Sequence, residues 1–385
     1  MKKGKFLIIT ANRFPTGDAG AVRLRAFASL LKELGYVPIV IGMGDATGFS
    51  KRTYDEIEYY SLRYSSRNIF FRILGRILYS RNLKKVVNSI EEPVNGILID
   101  SCDRSTLSFV KKLSKRNGIK PIYDSVEWYS ESEFKNGSKN RTYRWNNALN
   151  TRLIDDSFNI IAISTYLEDH FSNRKITTTR IPVIMDVHSM VAMSESNREN
   201  SNLKIVYAGS MGKKDHIQEM LDGLALLSNE ERERVRFSII GITREQYEQY
   251  YGVVSDATME SATFMGRVSR DEVLENLSMA DFSFLLRPSN ERYAKAGFPT
   301  KVVEALATGI PMMCNYSSDL KMYLRDGENA VIIDDCSAES CAKAIRKALA
   351  FTLEELSSLR KNARKTAEEN FDWRLYRESL NQILN

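Results

Sequence analysis

The sequence predicts an α/β protein of two parallel-sheet domains, and three observations carry that prediction. Short apolar runs alternate with helical patterns almost throughout, as strand–helix units do. The chain has 385 residues, more than the roughly 250–300 at which one core stops growing. A polar run over 188–202 interrupts the alternation, which then restarts, as expected of a linker.

In the first half the apolar runs 6–11, 37–42, 96–100, 121–124 and 159–164 predict strands. Helical patterns fall at 19–34, 68–90, 105–117 and 141–157. After the linker, strands are expected at 203–208, 235–240, 282–286, 311–315 and 330–334. Helices are expected there at 217–227, 270–279, 300–307 and 338–350, with two more, 353–370 and 373–384, ending the chain. Two successive open α/β units predict two domains facing across a cleft, with ligands beyond the carboxyl ends of the strands.

Composition narrows the class. The chain is 43% apolar and 27% charged, with 55 basic against 49 acidic side chains and a net charge of +6. This is globular usage and argues against disorder. No apolar run approaches the roughly 18 residues of a membrane span, and the first run is too short for a secretory signal. The four cysteines and three histidines are scattered, without the spacing of a disulfide framework or a zinc site. A reducing cytosol and no metal are therefore expected.

The segment Ala296-Gly-Phe-Pro-Thr-Lys-Val-Val-Glu-Ala-Leu-Ala-Thr-Gly-Ile-Pro311 is the most informative. Pro299 and Thr300 open a helix whose first turn offers unpaired N–H groups and a positive dipole end to a diphosphate. Lys301 adds a cation where it disfavours the helix itself, a conflict that an anion would resolve. Glu304, one turn on, has the chemistry to accept bonds from the vicinal hydroxyls of a ribose. The alternative is a capped helix with a solvated lysine and glutamate. A second segment, Tyr207-Ala-Gly-Ser-Met-Gly-Lys-Lys-Asp215, joins a strand to a helix. Gly209 and Gly212 suit a tight turn there, and Lys213 or Lys214 could neutralise phosphate oxygens. A plain exposed turn is the alternative. The spacing is neither that of a Walker loop nor G-x-G-x-x-G.

In this order, about 90 residues apart, these two segments resemble the donor-binding half of the family 4 retaining glycosyltransferases of group 1 type. Phe264-Met-Gly-Arg-Val268, Met279-Ala-Asp281, Arg287-Pro-Ser289 and Asp326-Gly-Glu-Asn-Ala-Val331 extend the resemblance. In the first half, Phe14-Pro-Thr-Gly-Asp-Ala-Gly20 resembles the family's acceptor loop, and Phe371-Asp-Trp373 resembles the segment before a last crossing helix. The resemblance implies the GT-B architecture of two Rossmann-like domains. These would be an acceptor domain over 1–190, a linker over 191–202, a donor domain over 203–370, and 371–385 crossing back.

Carried over by position, the resemblance implies that Lys214 contacts the donor diphosphate, with Gly209, Ser210, Gly212, Lys213 and Arg287 around it. Gly297 and Phe298 would supply backbone contacts, Glu304 would bind the ribose, and the backbone near Gly266 and Val268 would meet the base. Gly17, Asp18, Ala19, Gly20 and Arg23 would line the acceptor side, and Asp124 and Glu127 are its polar candidates. The donor would be a UDP- or GDP-linked sugar, with no cofactor, and the acceptor a glycan or lipid-linked molecule of a surface polysaccharide. Three departures stand out. The first glutamate of the family's E-x7-E motif is Ala296, the arginine beside the phosphate-binding glycine is Ser210, and the histidine after the fourth strand gives way to Val126. The loop before Gly297 is also about four residues longer than usual, offering Glu291, Arg292 or Lys295 as replacement sugar contacts.

From Tyr59 to Ile90 there is no acid, while Arg72, Arg76, Arg81 and Lys84 stand among apolar residues at helical spacing. One reading is a helix lying on an anionic membrane surface, on the inner face of the plasma membrane. The other is a domain helix packed on the first sheet. No nucleic-acid motif accompanies the charge. The rivals to a transferase are a GT-B nucleotide-sugar epimerase and a non-catalytic partner of an active glycosyltransferase.

Overall fold

The computed structural model describes residues 3–16, 19–43, 51–62, 69–191, 202–209 and 214–384, with the backbone alone over 69–78. The chain divides into two compact units. Met1–Glu127, Trp145–Asp186 and Trp373–Asn385 form the first, and Trp128–Arg144 with Val187–Asp372 form the second.

The first unit is built on eight strands: β1 (Lys5–Arg13), β2 (Val37–Met43), β3 (Lys51–Tyr54), β4 (Ile57–Leu62), β5 (Val94–Ile99), β6 (Ile122–Ser125), β7 (Asn159–Ala162) and β8 (Thr178–Arg180). Their order is β3-β4-β2-β1-β5-β6-β7-β8. All neighbours are parallel except β3 and β4, a hairpin turned by Asp55 and Glu56 at φ 47° and 60°. The central strands are apolar on both faces because helices cover both, and Phe6, Leu7, Ile8 and Ile9 are fully buried. Trp373, Leu380 and Ile383 pack into the same core as Leu24 and Phe27, and Trp373 N donates to Met185 O at 3.1 Å.

The second unit has six parallel strands: β9 (Leu203–Ala208), β10 (Val235–Ile240), β11 (Ala262–Gly266), β12 (Phe282–Leu285), β13 (Met312–Cys314) and β14 (Ala330–Ile332). Their order is β11-β10-β9-β12-β13-β14. Tyr207, Phe282, Phe284 and Met313 from the sheet meet Ile217, Ile345 and Leu356 from the covering helices in one core. Caps start three helices of this unit: the side chains of Ser269, Ser337 and Thr352 each accept the backbone N–H three residues on.

The structure redraws one expected helix and places two further segments. The predicted helix 141–157 ends at Ala148 and passes into a wide π turn, Leu149–Leu153, where the buried amide of Asn150 bonds back to Asn146 O and to Glu127 O. Trp128–Arg144, expected in the first domain, belongs with the second unit. The helix Ile69–Asn88 packs its carboxyl half on the first sheet. Tyr79, Leu83, Val86 and Val87 are buried there, and Tyr79 Oη donates to Thr10 O at 3.0 Å. Arg81 and Lys84 of the same half are exposed, whereas the side chains of Arg72 and Arg76 lie outside the described residues. Among the described residues no helix is long and apolar enough to cross a membrane.

Candidate donor site

The second sheet reverses its order at β9. The chain runs outward through β10 and β11 and returns to β12 on the other side. At such a reversal the connections leave two adjacent strands in opposite directions and open a crevice beyond their carboxyl ends. Three charged side chains meet there: Asp215 after β9, Arg287 after β12, and Lys301 in the first turn of the helix Thr300–Ala307. Lys301 Nζ lies 2.5 Å from Asp215 Oδ2, and Arg287 Nε lies 2.8 Å from Oδ1. Tyr207 Oη donates to Asp215 Oδ2 at 2.9 Å. Asn315, just past β13, frames Arg287 by accepting from its N–H at 2.9 Å and donating to its carbonyl at 2.6 Å.

One carboxylate between two cations leaves this crevice with an excess of positive charge. Burial opposes ionisation of Asp215, yet Lys301 and Arg287 hold its carboxyl well below the usual carboxylate range. Burial pulls the Lys301 ammonium down, against the attraction of Asp215. Gly209 is required for this packing: a Cβ there would sit 2.6 Å from Lys301 Nζ and closer still to the Tyr207 hydroxyl. The partner that sequence reading gave to Lys301 was an external anion, whereas the structure supplies an internal one. Asp215 was missed, although it directly follows the lysine pair.

Other expected contacts are placed differently. The N–H of Gly297 donates to Tyr293 O at 3.0 Å and that of Gly266 to Ile242 O at 3.1 Å. The Phe298 ring packs 5.8 Å from Tyr323 and 5.7 Å from Phe371. Pro299 stands at the cap position and Thr300 is the first helical residue. Glu304 Oε1 accepts from Arg270 Nη2 at 2.7 Å, and Val268 is half-buried. Lys214 Nζ lies 2.9 Å from Glu133 Oε1. Ser210, Gly212 and Lys213 lie outside the described residues. Ala296 is fully buried. The offered replacements Glu291 and Arg292 are engaged by the segment Trp128–Arg144: Ser132 Oγ donates to Glu291 Oε2 at 2.9 Å, and Arg292 Nε donates to Tyr129 O at 3.0 Å. Lys295 is exposed.

In the first unit the order reverses at β1, beside β5. Ala19 and Gly20 enter the helix Ala19–Glu33, and Gly17 and Asp18 lie outside the described residues. Arg23 and Asp124, expected on the acceptor side, bind each other in the interior at 2.7 and 2.8 Å, with both carboxylate oxygens taken by one guanidinium. Arg23 also donates to the carbonyls of Ile181 and Pro182. The pair joins β6 to that helix, a structural role in place of the expected one. Glu127 is half-buried and its carbonyl accepts from Asn146 and Asn150 at 3.1 and 3.3 Å. Asp100, just past β5, was not singled out by the sequence. Burial, helped by the charge of Asp124, pushes its carboxyl up to about 7, against hydrogen bonds from Thr10, Ser101 and Asn12. Among the described residues no group of three metal-ligating side chains forms.

Residues 192–366 match the family model of the glycosyl transferases group 1. With the GT-B architecture of the two sheets, this match makes the chain a glycosyltransferase. Among solved structures it is similar to the sucrose-phosphate synthase of Thermosynechococcus elongatus, at TM-score 0.76 and 14% identity over 98% of both chains. It is also similar to Anabaena HepE in complex with UDP and glucose, at TM-score 0.68 and 14% identity over 99% of both chains. A third is WaaG, a glycosyltransferase involved in lipopolysaccharide biosynthesis, at TM-score 0.67 and 14% identity over 99% of both chains. No curated protein matches the sequence significantly.

Proposed function

We propose that the chain is a retaining, metal-independent hexosyltransferase of family 4. It moves a sugar from a UDP- or GDP-linked donor to a glycan or lipid-linked acceptor in surface-polysaccharide assembly. The observation that carries this reading is the convergence of Lys301 and Arg287 on the single carboxylate of Asp215, beyond β9 and β12 of the unit that matches the family model. A departing nucleoside diphosphate gains negative charge as the bond from the anomeric carbon to its phosphate oxygen breaks. Fixed cations and first-turn N–H groups stabilise that charge without reorganising. The acceptor hydroxyl attacks from the leaving-group face, its oxygen bonds to the anomeric carbon, and its proton passes to the departing phosphate. The cations that stabilise the leaving group belong to the chain itself, which supports the metal-independent reading.

Lys214 and Glu304 complete the donor set in this reading, on the diphosphate and the ribose. The exposed Arg81 and Lys84 support peripheral contact with anionic lipid at the inner face of the plasma membrane, where a lipid-linked acceptor would be met. One observation favours a second reading, a non-catalytic partner of an active transferase: the position of the family's sugar-facing glutamate is the fully buried Ala296. The test is nucleoside diphosphate release from a panel of UDP- and GDP-sugars by purified full-length protein. Release from one donor, with sugar transferred under retention, supports the enzyme. Donor binding without turnover by any acceptor supports the partner, and an altered free nucleotide sugar supports an epimerase.

A further inference from the structure

The segment Trp128–Arg144 is clamped to the second unit by the residues of the lengthened loop. Besides the Tyr129 carbonyl, Arg292 donates to Tyr143 Oη at 3.3 Å, and its guanidinium lies 4.7 Å from the centre of the Trp128 ring. Tyr293 N donates to Ser130 Oγ at 3.2 Å. This grip delivers one carboxylate, Glu133, to the lysine beside the donor turn. The Glu133 side chain is only 6% exposed, and its two oxygens have different tasks. Oε2 accepts from Ser130 N at 2.8 Å, closing a capping box at the short helix Glu131–Glu133, while Oε1 lies 2.9 Å from Lys214 Nζ. The ammonium also stands 5.0 Å from the centre of the Tyr129 ring and 5.7 Å from that of Tyr293. Tyr293 Oη donates to the Lys214 carbonyl at 3.3 Å.

A lysine side chain has about 2 kcal/mol of rotamer entropy to lose when it is ordered on a ligand. A carboxylate fixed by its own backbone bond, with two aromatic rings near the ammonium, removes much of that freedom beforehand. An ammonium carries three donors, so a bond to Glu133 is compatible with a bond to a phosphate oxygen. We propose that Glu133 is a positioning residue for donor binding. Held on the second unit by the Arg292 clamp, it sets the Lys214 ammonium for a nucleoside diphosphate. This rests on the reading above that Lys214 contacts the donor diphosphate.

The experiment is a double-mutant cycle by calorimetric titration of UDP and GDP into the full-length protein, with Glu133→Ala, Lys214→Ala and the pair. Glu133→Ala is expected to weaken binding about tenfold, the size of one charge-assisted bond, and to have no further effect once Lys214 is alanine. Glu133→Gln, which keeps an acceptor for Ser130, should fall between, and it closes the same cycle if Glu133→Ala does not fold. An unchanged or tighter affinity, or an equal loss with and without Lys214, overturns the positioning role while leaving the donor reading intact. A parent protein that binds neither UDP nor GDP overturns the donor reading and this proposal with it.

Discussion

The sheets of the two units reverse in the same way, and a buried carboxylate near each reversal is treated in opposite ways. Each sheet reverses beside its first strand, β1 next to β5 and β9 next to β12. In the second unit Asp215 lies between Lys301 and Arg287 and is held below the usual carboxylate range. In the first, Asp100 is buried among neutral donors, with Asn12 Nδ2 at 2.6 Å, and rises to about 7. Asp124, whose charge raises it further, is itself paired with Arg23. The fold thus supplies the same crevice twice, and the identity of a few partners decides what it holds. Cations around one acid make an anion seat, whereas an acid without cations becomes a group that exchanges protons near neutrality.

The largest effect should come from removing the acid between the cations. Asp215→Asn leaves Lys301 and Arg287 without their counter-charge and should destabilise the fold by about 3–5 kcal/mol. A melting temperature equal to the parent's would contradict the account of that cluster.

Asp100 should show the opposite sign. Its folded pKa lies above its unfolded value, so the folded state binds more protons between about pH 4 and about pH 7. Stability from this group is therefore full below pH 4 and lost as pH rises through 7. Asp100→Asn should flatten that part of the melting-temperature profile, and two parallel profiles would remove the assignment. Asp215, depressed, gives stability above the unfolded carboxylate range that is lost only in strong acid.

Glu304→Ala should weaken UDP or GDP binding roughly tenfold by removing an acceptor for the ribose hydroxyls. Because Glu304 also holds Arg270 at 2.7 Å, the melting temperature should be compared alongside, and unchanged affinity removes the ribose role. The smallest effect concerns the first unit's surface. Arg81→Glu with Lys84→Glu should reduce sedimentation with anionic liposomes, at about 1 kcal/mol per charge removed, and leave donor hydrolysis unchanged. Equal sedimentation of variant and parent would leave the membrane contact without support.

Much of the fold was legible because buried parallel strands are written as bare apolar runs. β9 and β10 begin and end where the runs 203–208 and 235–240 do. The hairpin strand β3, Lys-Arg-Thr-Tyr, is exposed at every residue, and its turn, Asp55-Glu56, contains no glycine, so no local pattern announced it. Strand β8 is only three half-buried residues, Thr178–Arg180. At the site, the helix Thr300–Ala307 and Arg287 could be read from spacing and resemblance. The partners could not. Lys301 meets Asp215 across 86 residues, and Arg292 meets Tyr129 across 163. Such pairings are set by tertiary packing and leave no periodicity. They explain what the sequence left out, the internal partner of Lys301 and the partners of Glu291 and Arg292.

A structure of the protein with UDP or GDP bound will show whether the second unit's crevice seats a nucleoside diphosphate. Diphosphate oxygens are expected within hydrogen-bond reach of Lys214 and of the first turn of the helix Thr300–Ala307, beside the Lys301–Asp215–Arg287 cluster. A diphosphate bound away from that crevice, with those residues untouched, would contradict that expectation.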